Sequence, residues 1–77
     1  MNFELTEADV MFFESKGFDV KTSDGLRKAL KWLRTTDADN LMFGEPTGDP
    51  FDIEMGELRR PMLIAACEKA LENKKRS

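Results

Sequence analysis

The chain has 77 residues, 12 of them basic and 15 acidic, for a formal net charge of −3. That length allows one modest core and a stability of only a few kcal/mol. A single cysteine and no histidine exclude an internal disulfide, a CxxC redox or zinc motif, the usual general base and the commonest metal ligand.

No apolar run approaches the ~18 residues of a membrane span. The opening stretch MNFELTEADV is acidic, unlike the basic-then-apolar start of a secretory signal. The expected address is therefore cytoplasmic. Without disulfides or a zinc site, stability has to come from packing, with a second subunit as a further source.

Thr6 opens the first predicted helix. Thr6-x-x-Asp9 approximates a capping box, and Leu5 and Val10 occupy the two positions of a hydrophobic staple. The helix is expected over 7–16, with Gly17 as its left-handed stop. The second helix, at about 24–35, has the cleanest pattern: Leu26, Ala29, Leu30 and Leu33 follow i, i+3, i+4, i+7. Ser23 or Asp24 is its expected cap. Residues 35–44 hold one or two short helical turns, with Asp37 capping and Gly44 ending them. The stretch GEPTGDP at 44–50 is a stiff loop. After it, FDIEM alternates as a half-buried strand does, yet Asp49-Pro50 is also a good helix opening; the pattern leaves both open. A last helix is expected over 61–73, with Leu63, Ile64, Cys67, Ala70 and Leu71 facing inward. Its apolar run 62–67 surrounds the helix, so it is either central in the fold or covered by another chain.

Phe-acid-aliphatic triplets recur as FEL, FDV and FDI at 3, 18 and 51. Their unequal spacing supports no repeat architecture. They read as extended pieces near 2–5, 18–21 and 51–55 that turn an apolar residue inward before each helix. The expected class is thus mainly α, one domain over 1–77 with three principal helices and a frayed basic tail at 74–77. Pairing of the extended pieces into a minor sheet gives the α+β alternative.

Chemistry-bearing residues are sparse. Cys67 lies mid-helix among Ile64, Ala65 and Ala66, where a thiol is desolvated and nothing activates it. Carboxylates are plentiful: Asp37, Asp39, Glu45, Asp49, Asp52, Glu54 and Glu57 follow one another with no lysine or arginine between them. A calcium loop begun at Asp37 fails, because Leu41 and Met42 take the positions of a ligand and the obligatory glycine. Neither a metal nor an organic cofactor is expected, nor a catalytic residue.

The second helix carries the opposite sign. Arg27, Lys28, Lys31 and Arg34, with Trp32 available for stacking, are the candidate nucleic-acid contacts. Residues 5–34, LTEADVMFFESKGFDVKTSDGLRKALKWLR, are similar to the helix-extended-helix modules of SAP and LEM type. The similarity lies in a leucine and glycine pattern shared by many helix pairs, and no family is assigned from it.

Charge is therefore segregated, and phenylalanine and methionine, adaptable contact residues, are generous for so small a core. The expected function is a small acidic protein-binding module, an inhibitor or adaptor that docks on a partner protein with a basic surface. A phage or mobile-element anti-defence protein covering a nucleic-acid-binding surface is one form of it. The candidate contacts are Asp37, Asp39, Met42, Phe43, Glu45, Asp49, Phe51 and Asp52. The alternative is a nucleic-acid-binding domain using the basic second helix. A third reading is a homo-oligomer through the run 62–67, between Met62 and Cys67.

Overall fold

In the computed structural model, which describes residues 4–76, three α-helices and one 3₁₀ turn follow in chain order. No strand occurs among the described residues. Helix α1 is Glu7–Ser15. The Thr6 side chain accepts from Asp9 N at 3.2 Å and the Asp9 carboxylate accepts from Thr6 N at 3.2 Å, a complete capping box. At the other end Phe18 N reaches Phe13 O and Gly17 N reaches Glu14 O, the paired bonds of a Schellman stop. Gly17 sits at φ 92°, where a side chain would be strained.

Helix α2, Ser23–Thr35, buries the expected stripe of Leu26, Ala29, Leu30 and Leu33. Its cap is Thr22, neither Ser23 nor Asp24: the Thr22 hydroxyl accepts from Gly25 N at 3.0 Å. The preceding turn sets this register, because Thr22 is itself tied back to Asp19 O and Lys21 N to Asp19 Oδ1. Gly25 lies so close to this turn that an added Cβ would meet Asp19 O at 1.7 Å.

The 3₁₀ turn η1, Ala38–Leu41, buries Ala38 and Leu41. Asp37 holds its N-cap position, but contrary to expectation its side chain makes no capping bond. Helix α3 then runs without interruption over Pro50–Arg76. It absorbs the expected 61–73 helix and the ambiguous FDIEM stretch alike. Asp49 starts it by accepting from Phe51 N at 2.8 Å, with Pro50 at the first helical position, where its missing N–H costs nothing.

The extended pieces and the minor sheet are thereby corrected. Residues 51–55 are helical, 18–21 form part of a turn, and of 2–5 only Glu4 and Leu5 are described, in irregular backbone. FDIEM alternates because Phe51 and Met55 face one side of a helix at i, i+4, which the two-residue pattern mimics over so short a run.

Pro61 stands inside α3, where it removes the donor for Glu57 O, a defect that commonly costs ~3 kcal/mol. Both residues are exposed, so water can reach the freed carbonyl. Anchors lie on either side of it. Upstream, Arg60 donates to Leu33 O and to Thr36 O, closing the C-terminal end of α2, and Arg59 Nε donates to Leu41 O at 2.8 Å. Gly56 lets the helix cross η1 so closely that a Cβ would meet Ala38 O at 1.8 Å. Downstream, Leu63 and Cys67 enter the core beside Phe12, Phe13, Leu26 and Leu33. Full burial of such side chains contributes roughly 1.5–3 kcal/mol apiece. No helix of the described residues is long and apolar enough to cross a membrane.

Candidate functional site

The acidic candidates lie on one continuous path, from η1 through the loop to the first turn of α3. Their carboxylates divide into two groups. Asp39, Asp49 and Asp52 hold the loop: Asp39 Oδ2 accepts from Gly48 N at 3.0 Å, and Asp49 caps α3. Thr47 Oγ1 donates to Asp52 Oδ2 at 2.6 Å while accepting from Asp49 N at 3.1 Å. Asp37, Glu45 and Glu54 are exposed and their carboxylates bond to nothing among the described residues. Lys16 steadies the same loop by donating to Gly44 O at 2.8 Å.

Ion pairing leaves the segregation of charge intact. The described pairs are Lys21–Glu14, Lys28–Asp24, Arg34–Glu68, Arg60–Glu57 and Lys69–Glu4. None joins a carboxylate of 35–58 to a basic residue of α2. Apart from Arg60, whose side chain is only 20% exposed, the paired side chains are well exposed, and such exposed pairs contribute little to stability.

Three apolar candidates accompany the acids. Phe43 is 59% exposed and Phe51 65%, while Met42 is half-buried. Phe43 meets Phe12 edge-on at 5.3 Å, so one side of its ring is held and the other faces solvent.

The basic candidates are differently placed. Trp32 is half-buried in an aromatic cluster, with ring centroids 5.2 Å from Phe18, 6.1 Å from Phe12 and 6.5 Å from Phe13. That packing takes up surface a stacking base would need. Lys28 and Arg34 are engaged with Asp24 and Glu68, whereas Arg27 and Lys31 are exposed without an ion pair among the described residues. Beside them a groove of about 530 Å³ runs between α2 and α3, lined by Arg27, Arg34 and Lys75 but also by Glu68 and Glu72. Its mixed sign opposes the binding of a phosphate chain.

Cys67 is fully buried, and its thiol is pushed up from 9.0 to about 12, chiefly by burial and then by the negative charges of Asp9 and Glu68. A nucleophile needs the reverse shift. The run 62–67 is divided: Leu63, Ala66 and Cys67 are buried, Ile64 and Ala65 half-buried, and Met62 is 54% exposed.

Two features escaped the sequence reading. Arg59 and Arg60 are the clamps of α3; their sequence signal was only their position at the end of a long acidic run. Met55 and Leu58 share an outward face with Phe51 and Met62, a 4-3-4 spacing hidden once Pro61 is taken as a helix start. Comparison with protein-family models, curated proteins and solved structures returns no match.

Proposed function

We propose that the protein is a small acidic protein-binding module, an inhibitor or adaptor that docks on a basic surface of a partner protein. It acts by surface complementarity, without covalent chemistry, and the reading sets it in the cytoplasm. The observation that carries it is the coincidence, on one path, of carboxylates unmatched by the chain's own cations with outward-facing phenylalanines. Asp37, Glu45 and Glu54 pair with nothing among the described residues, while Phe43 and Phe51 stand 59 and 65% exposed among them. A charged rim around large apolar side chains is the anatomy of a docking patch. An anti-defence inhibitor laid over a nucleic-acid-binding surface is one form such a module takes.

The test is affinity capture on the immobilised protein, at two salt concentrations and with nuclease treatment. The expected result is a protein retained after nuclease, released by salt, and lost with Asp37→Asn/Glu45→Gln. Those two carboxylates hold nothing in the fold, so the variant keeps its stability. Retention that disappears with nuclease and with Arg27→Gln/Lys31→Gln would instead establish the nucleic-acid reading, which the exposure of Arg27 and Lys31 favours.

A further inference from the structure

The outward face of α3 has no task in the fold. Gly56, Leu63 and Cys67 turn toward η1 and the core. Phe51, Met55, Leu58 and Met62 recur at spacings of four, three and four, which places them within an arc of about 60° on another side of the helix. Phe51 is 65% exposed, Leu58 60% and Met62 54%, with Met55 half-buried between them. At Met62 the stripe opens into a groove of about 220 Å³ between α3 and the start of α1. Met62, Leu63 and Ala66 line it together with Glu4, Asp9 and Arg59.

The margins of the stripe are acidic at its N-terminal end. Asp52 and Glu54 flank Phe51 and Met55 on either side, and neither forms an ion pair among the described residues; Asp52 takes only the Thr47 hydroxyl. Arg59, the one cation on this margin beside Leu58, is committed to Leu41 O and lies 5.2 Å over the Phe12 ring.

Resting on the docking reading above, we propose that this face of α3 is the seat and that its occupant is a basic amphipathic helix of the partner. Apolar residues at helical spacing lie along the stripe, and lysines or arginines on the margins meet Asp52 and Glu54. One large apolar side chain fills the groove beside Met62 as an anchor. Two methionines let the surface repack around branched or aromatic partners. A second copy of this chain fits less well, because it brings the same carboxylates to the same margins. The stripe also presents roughly 400 Å² of apolar surface, half of what one partner contributes to a standard interface. A single helix needs no more.

The experiment is calorimetric titration of the full chain with an amidated leucine–lysine peptide of about 14 residues, long enough to hold a helix. Its leucines stand at helical spacing. Controls are the same composition in permuted order and a leucine–glutamate peptide of the same pattern. The patterned basic peptide alone is expected to bind, and Leu58→Ser/Met62→Ser to weaken it by at least about tenfold at unchanged melting temperature. Equal binding of the permuted peptide overturns the helical occupant. Weakening by Asp37→Asn/Glu45→Gln but not by Leu58→Ser/Met62→Ser overturns the α3 seat and leaves the acidic docking reading standing. Indifference to both variants removes both. Self-association of the wild type in sedimentation, abolished by Leu58→Ser/Met62→Ser, assigns the face to a second copy and overturns the proposal.

Discussion

Helices α2 and α3 divide the work of the molecule unequally. Helix α2 has one apolar stripe and one charged exterior, and every apolar residue of the stripe is buried. Helix α3 is apolar on two sides: Leu63, Ala66 and Cys67 enter the core, while Phe51, Leu58 and Met62 face solvent. A helix that only supports a fold needs one apolar face. The second face of α3 adds nothing to the core cluster, and the docking proposal gives it a use outside the monomer. Positions on the α2 stripe thus report folding alone, whereas under the docking proposal neighbouring positions on α3 separate folding from docking.

The sharpest way to break this comparison is at the crossing of α3 over η1. Gly56→Ala drives a methyl into Ala38 O, a backbone atom that cannot turn aside. A loss of about 3 kcal/mol or more, most of the stability of so small a domain, is expected. Thermal melting will show it as a fall of roughly 12–24 °C or an absence of cooperative unfolding. Next come two adjacent residues on opposite faces. Leu63→Ala should cost about 2–5 kcal/mol and Met62→Ala less than about 0.5 kcal/mol by urea denaturation. Equal effects would mean that the outer face is part of the fold after all.

Pro61 offers a test of opposite sign. Pro61→Ala restores the donor for Glu57 O on an exposed face and is expected to stabilise the chain by about 1–3 kcal/mol. A destabilised Pro61→Ala variant would show that the proline shapes α3 and does not merely survive in it. The smallest effect concerns Cys67. Its thiol should resist alkylation in the native state at pH 8, with labelling that follows unfolding. Because burial raises the folded thiol from 9.0 to about 12, its contribution is fully present below pH 9. The contribution falls as pH rises from 9 toward 12, where the unfolded chain alone releases the proton. Rapid native alkylation at pH 8 would contradict the burial.

Local signals were legible in the sequence where one residue decides one bond. Thr6, Asp9 and Gly17 read correctly because a cap or a left-handed stop depends on chemistry within a few residues. The inward stripe of α2 read correctly because its spacing has a single interpretation. Thr22 was missed since its role depends on the Asp19 turn that positions it, and Asp37 was over-read since an aspartate before a helical turn need not bond to it. The unity of α3 was hidden by Pro61, whose cost is met by Arg59, Arg60 and Gly56 through contacts 18 residues or more away in sequence. Of the candidate site, the acidic path and Phe51 were visible. Met55 and Leu58 were not, because a stripe is recognised only after its helix is known to be continuous.

The most direct measurement is a residue-by-residue NMR titration of the full chain with the patterned leucine–lysine peptide. Shifts are expected to concentrate at Phe51, Met55, Leu58, Met62 and the flanking Asp52 and Glu54, with the outer face of α2 undisturbed. Shifts centred on Arg27 and Lys31, or spread evenly over the surface, would contradict it.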